Sequence, residues 1–187
     1  IRYSEEENIK DSRILLDLYE IIYNCPKPVI GRINGSAFGG GIGLLAVCDI
    51  VIAVSDCKFA FSEVKLGIIP AVVSTYIVRR IGISNMKRLF ITGERFDSNY
   101  AKEIGLVDHV VSEQELNDII KHYIELLSFS GPKAVAEIKK LIDNYEKFDL
   151  EKYKEFVVKK IAELRVSDEG HEGINAFLEK RKAKWSE

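Results

Sequence analysis

Methionine and tryptophan occur once each in this 187-residue chain, cysteine and histidine three times each, and proline four times. The cysteines, Cys25, Cys48 and Cys57, are odd in number and fit neither a CxxC nor a zinc-ligand spacing. Three reduced thiols are expected, hence a reducing compartment, and a cytoplasmic protein. His109, His122 and His171 stand apart from one another, so no metal centre is expected. Neither charge sign is in excess: 27 basic against 29 acidic residues give a net charge of −2. Nucleic-acid binding, which favours a basic surplus, is not expected. Long apolar runs are also missing. The longest, Val72–Val78, is interrupted by Ser74 and Thr75 and falls far short of the roughly 20 residues that cross a bilayer. No signal-peptide pattern opens the chain. Because Met86 is the only methionine, Ile1 is not an initiator, and the chain is expected to be a processed or shortened piece.

What is present suits one globular domain: 47% apolar and 30% charged residues. Leu15, Leu18, Tyr19 and Ile22 recur at helical spacing and predict a helix over Ser4–Tyr23, stopped by Cys25-Pro26-Lys27-Pro28. A strand follows at Val29–Ile33, then a glycine-rich turn, then a small apolar helix at Ile42–Cys48. Asp49–Val54 and Lys58–Phe61 read as two strands that pair. Pro70 introduces a helix over Val72–Ile81 that Gly82 ends. Helices at Asn85–Thr92 and Ser98–Ile104 and a strand at Leu106–Val111 complete an α/β part, residues 1–111, with near-parallel strands. Residues 112–187 read as helical throughout. Ser112 and Glu115 form a capping-box pattern, and helices are predicted to about Phe129, over Pro132–Tyr145, over Asp149–Arg165 and over Asp168–Lys182.

Two stretches carry candidate chemistry. The first is Asn34-Gly-Ser-Ala-Phe-Gly-Gly-Gly-Ile-Gly-Leu44, between a strand and a helix. Successive glycines let the backbone approach a ligand closely, and a helix starting there aims free N–H groups at the same point. The segment is either an anion or oxyanion site or a crossing that simply needs glycine. It is not a phosphate-binding P-loop, since no Gly-Lys-Ser/Thr follows, and it fits the dinucleotide fingerprint poorly. The second stretch is Phe59-Ala-Phe-Ser-Glu-Val-Lys-Leu-Gly-Ile-Ile-Pro70. Glu63 is its lone acid in an apolar neighbourhood. It is either a general acid/base or a strand-end carboxylate paired with Lys65 or facing water.

Taken together, Asn-Gly-x-Ala-x-Gly-Gly-Gly-x-x-Leu, Cys48-Asp-Ile50 and Phe-x-x-x-Glu-x-x-Leu-Gly-Ile-x-Pro resemble the crotonase family of enoyl-CoA hydratases and isomerases. Leu89–Asp97, Ala101–Val107 and Gly173–Arg181 are similar to its later signatures. The resemblance implies a crotonase-like ββα spiral core followed by a helical region that supports trimers and covers CoA. It also implies that about the first third of a typical family domain is absent from this chain. A protein beginning at Ile1 is therefore expected to be inactive or unfolded.

The same resemblance implies roles. An acyl-CoA thioester is the substrate, and no separate cofactor is needed. The Gly40 N–H would be one of two donors to the thioester oxygen, the other coming from an earlier loop that nothing here matches. Glu63 would be the acid/base. Ala37, Phe38, Gly39, Gly41, Gly43, Pro70 and Ala71 would line the acyl site, and Phe177 and Lys180 would contact CoA, often in a neighbouring subunit. Hydratases of this type usually carry a second glutamate where this chain has Gly43. Glycine at that place is similar to the bacterial methylglutaconyl-CoA hydratases of leucine breakdown and to carboxygeranoyl-CoA hydratase-like proteins. Ala71 and Ser74 replace glycines of typical members. Arg79 and Arg80 are candidates to meet a substrate carboxylate. The expected activity is hydration of a 2-enoyl-CoA. The alternatives are a double-bond shift from C3 to C2 by Glu63 alone, or an acyl-CoA-binding scaffold without activity. A homotrimer or a dimer of trimers is expected.

Overall fold

The computed structural model describes residues 3–186. Two compact units emerge. One comprises residues up to Cys25 together with 29–120, and the other comprises 26–28 together with 121 onward.

The first unit opens with helix α1, Glu5–Tyr23. Its start is the reciprocal cap that Ser4 and Glu7 allow. The Glu7 N–H donates to the Ser4 hydroxyl at 3.2 Å, and the Ser4 N–H donates to the Glu7 carboxylate at 2.7 Å. Only Tyr19 of α1 is fully buried, whereas Leu18 is exposed.

Strand β1 (Ile30–Ile33), β2 (Ala37–Phe38), helix α2 (Gly40–Ala46), β3 (Ile50–Val54) and β4 (Lys58–Ala60) follow in order. β3 lies between β1 and β6 (His109–Val111), parallel to both, with Ile30 opposite Ile50 and Ile52 opposite His109. Its β-branched residues Val51 and Ile52 are wholly buried, as a central parallel strand requires. Aspartates anchor the strand ends. Asp49 accepts from the Val29 N–H at 2.7 Å, and Asp108 accepts from the Val51 N–H at 2.6 Å.

The expectation that β3 and β4 pair is corrected. Both edges of β3 are taken by β1 and β6, so β4 belongs to a second small sheet in the order β2-β4-β5, where β5 is Phe96–Asp97. There β2 runs parallel to β4 and β5 antiparallel to it. Buried Ser98 ties the turn between β3 and β4, donating to the Val54 carbonyl at 2.7 Å and the Cys57 carbonyl at 3.3 Å.

A 3-10 helix at Ser62–Leu66 follows β4, so Glu63 sits on a turn of helix rather than at a strand end. Helix α3, Ala71–Thr92, contains the predicted break: Gly82 has φ 71° and ψ 163°, which separates two helical halves. Helix α4 is Ser98–Glu103, and α5 is Leu116–Ser128.

In the second unit, α6 (Pro132–Lys147), α7 (Leu150–Arg165) and α8 (Asp168–Leu178) pack in sequence. α8 ends earlier than the predicted Lys182, and Lys180 adopts a left-handed φ of 55°. None of the described helices is long and apolar enough to cross a membrane.

Candidate active site

The candidate site is assembled where the small sheet hands over to α2. The Gly39 N–H donates to the Ala60 carbonyl at 3.1 Å, which extends the β2–β4 pairing by one residue. β4 leads through buried Phe61 into the turn that carries Glu63. The glycine segment and Glu63, more than twenty residues apart in sequence, therefore meet through one strand pairing. Phe61 is held by Phe90 and Phe96, with ring centroids 4.7 and 6.3 Å away.

The contact is close. A Cβ added to Gly39 would lie 3.0 Å from Glu63 Oε1, and Gly39 itself has φ 51°. Glycine is required on both counts. The other carboxylate oxygen, Glu63 Oε2, is buried and has no hydrogen-bond partner. This oxygen is neither paired with Lys65 nor open to solvent, the two roles that a strand-end carboxylate would have.

Gly40 and Gly41 form the first turn of α2. N–H groups there have no partner inside the helix and point out of its positive end. Gly41 packs close to Ala37, its hypothetical Cβ 3.7 Å from the Ala37 Cβ. Phe38 is partly exposed beneath the guanidinium of Arg95, 5.5 Å from the ring centre. α3 packs on both α2 and the Glu63 turn, with buried Pro70 and exposed Ala71 at its start.

Gly43 is fully buried for a reason absent from the sequence motif. The ring of Tyr19, from α1, lies over it: a Cβ there would be 2.4 Å from both Cζ and Oη. The Tyr19 hydroxyl donates to the Gly40 carbonyl at 2.6 Å. Burial pushes the Tyr19 phenol pKa up, and the negative charge of Glu63 pushes it the same way. Sequence reasoning placed Tyr19 on an apolar helix stripe and missed its place in the site. The available signal was Gly43 itself, a small residue whose missing volume something had to fill.

The strand pairing and α2 thus bring together Ala37, Phe38, Gly39, Gly40, Gly41, Gly43 and Glu63. Phe177 and Lys180 lie in the other unit, Phe177 with 82% of its surface exposed. Arg80 is bound internally, to Asp108 at 3.3 Å and to the Cys48 carbonyl, and Arg79 stacks on Tyr23. Asp97 caps α4 by accepting from the Tyr100 N–H, and Glu94 pairs with Arg88. Among the described residues, no group of three His, Cys, Asp or Glu side chains is placed to hold a metal ion.

This geometry coincides with a sequence pattern shared over nearly the whole chain: that of the enoyl-CoA hydratase/isomerase family matches residues 3–187. The chain belongs to that family. An enoyl-CoA hydratase of Alternaria alternata is 41% identical over 128 residues, 68% of this chain and 43% of that protein. A carnitinyl-CoA dehydratase of Escherichia coli is 33% identical over 171 residues, covering 88% of this chain and 65% of its own length. The chain thus spans less than half of the fungal enzyme and about two thirds of the bacterial one. Among solved structures, an enoyl-CoA hydratase of Shewanella pealeana superposes with a TM-score of 0.94 at 36% identity, over 98% of this chain and 69% of that one. Pseudomonas aeruginosa AtuE gives 0.95 at 32% identity, over 98% and 72%. The α/β part followed by helices is the crotonase fold, and the family acts on acyl-CoA.

Proposed function

We propose that the protein is an enoyl-CoA hydratase, adding water across the 2,3 double bond of a 2-enoyl-CoA thioester. Glu63 takes a proton from the water as its oxygen bonds to C3, and returns a proton to C2 on the same face, so that one water is added and Glu63 ends as the carboxylate it began as. The negative charge that develops on the thioester oxygen is met by the Gly40 N–H at the positive end of α2. The observation that carries this reading is the Glu63 carboxylate, with one oxygen against Gly39 and the other buried and unpartnered. A buried polar atom without a partner is costly. Such an atom is accounted for if a reacting group is meant to fill the place. The hydratase and dehydratase relatives support the same chemistry.

A second reading is favoured by one observation, the Tyr19 ring over Gly43. No side-chain carboxylate can stand there to hold water opposite Glu63. Glu63 alone can remove a proton from C2 of a 3-enoyl-CoA and return it at C4, which is isomerisation. The likeness to methylglutaconyl-CoA hydratases supports a branched acyl chain. The proposal carries with it a trimer or a dimer of trimers, in which Phe177 and Lys180 contact CoA from a neighbouring subunit. Sedimentation of the whole protein as a monomer would remove that part.

The test incubates the whole protein with 3-methylglutaconyl-CoA and reads the product mass. Gain of one water establishes hydration. No gain, with a 3-enoyl-CoA still converted to its conjugated isomer, establishes the isomerase. Inertness towards both overturns the two readings together.

A further inference from the structure

Tyr19 is a buried polar group that the proposed chemistry leaves unused. It has no exposed surface. Its ring is held edge-on by Tyr76 at 6.2 Å, and Tyr76 in turn packs on Tyr23 at 5.1 Å. A phenol at this depth needs a partner for its hydroxyl, and the partner is the Gly40 carbonyl. Two polar heads therefore flank consecutive glycines. The Glu63 carboxylate lies 3.0 Å from where a Gly39 side chain would begin, and the Tyr19 hydroxyl lies 3.3 Å from the equivalent point on Gly40.

We propose that Tyr19 is a positioning residue of the acyl site: its hydroxyl fixes the Gly40–Gly41 peptide at the mouth of α2, and its ring takes the room in which a second carboxylate at position 43 would stand. The inference rests on the roles proposed above for Glu63 and Gly40. Three successive glycines are free to adopt many backbone conformations. Donors stabilise a developing oxyanion well only when they are already aimed at it. One hydrogen bond from a rigid, buried phenol to the Gly40 carbonyl restrains the peptide that follows Gly40, next to the one whose N–H is the proposed donor. The same ring makes glycine obligatory at 43, so the loss of the second carboxylate and the presence of Tyr19 are one packing arrangement.

The test compares the whole wild-type protein with Tyr19→Phe, which removes only the hydroxyl. The probes are acetoacetyl-CoA, which can bind as an enolate with charge on the thioester side, and butyryl-CoA, which cannot. Calorimetry is expected to show acetoacetyl-CoA binding weakened about tenfold in the variant, about 1.4 kcal/mol, and butyryl-CoA binding changed less than about twofold. In turnover, kcat is expected to fall about tenfold at unchanged KM, the mark of a transition-state interaction. Equal weakening of both probes, or no weakening of either, overturns the proposal. If Tyr19→Phe does not fold, Gly43→Ala is read instead, since it crowds the ring and keeps the hydroxyl. The same selective loss is expected, and a uniform or absent one overturns the proposal. A wild-type protein that converts neither a 2-enoyl- nor a 3-enoyl-CoA defeats the functional reading, while the ratio of the two probe affinities still decides the role of Tyr19.

Discussion

The ring of Tyr19 fills the place where a side chain at Gly43 would begin: a single methyl at 43 would sit 2.4 Å from Tyr19 Oη. The partner is a rigid ring locked by Tyr76, so it cannot swing aside cheaply. Gly43→Ala is therefore expected to destabilise the protein by about 1–3 kcal/mol, the usual cost of forcing extra carbon into a packed site. Gly35→Ala is the control, since a Cβ there meets nothing within 4 Å. Thermal unfolding of both variants should lower the midpoint for Gly43→Ala alone. Equal midpoints would mean that α1 shifts freely away from α2.

Glu63→Gln keeps the shape of the side chain and removes its ability to take a proton. Its buried Oε2 and its contact with Gly39 predict a loss of turnover of about 100- to 10,000-fold. Binding of a saturated acyl-CoA should persist. Steady-state kinetics and calorimetry on the same preparation check both halves. Loss of binding along with turnover would make Glu63 a structural carboxylate.

The sequence was most legible where local chemistry decides the outcome. The Ser112–Glu115 cap and the break at Gly82 are local events, and capping and positive-φ rules anticipate them. Glu63 and the glycine segment were recognisable as a pair because their joint spacing resembles one family. Relations across the fold were not legible. The two-residue strand β2 has too few residues for any periodicity, and it is this strand that ties Gly39 to Ala60. The parting of β3 from β4 depends on β6, more than fifty residues away, claiming the free edge of β3. Tyr19 shares a face with Leu15 and Ile22 in sequence, and only packing reveals that its hydroxyl reaches Gly40.

Ser98 is the buried polar residue that joins the turn between the two sheets. Its hydroxyl serves the Val54 and Cys57 carbonyls, with none of the residue exposed. Ser98→Ala leaves both acceptors short of that donor in a place closed to bulk water. A cost of about 1–3 kcal/mol is expected, and urea unfolding should show a lower midpoint at an unchanged slope. Ser98→Thr offers the hydroxyl again, so partial recovery would assign the loss to the hydrogen bonds. An unchanged midpoint in Ser98→Ala would show that a water replaces the hydroxyl.

In the second unit, Glu172 holds the C-terminal segment against α8. Its carboxylate accepts two bonds from Arg181, at 2.6 and 3.1 Å, and one from the Lys184 N–H at 3.0 Å. The Arg181 hydrogen bonds are the main cause of a Glu172 pKa lowered from 4.5 to about 2. A carboxyl with a depressed folded-state pKa contributes stability that is complete above its unfolded value and fades as pH falls towards the folded one. The window here runs from about pH 4.5 down to about 2, while Arg181 stays charged throughout. Trp185, the chain's single tryptophan, reports on it directly. Its indole N–H donates to the Phe129 carbonyl at 3.2 Å, and its ring lies against Gly173, 3.1 Å from where a side chain would begin. Acid titration should shift tryptophan emission towards the solvent-exposed value within that window. Glu172→Gln should show much of the shift already at pH 7, because the neutral amide cannot replace the charged pairing. A wild-type emission that stays constant to pH 2, or a variant identical to wild type at pH 7, would show that the segment is held by packing on Gly173 rather than by Glu172.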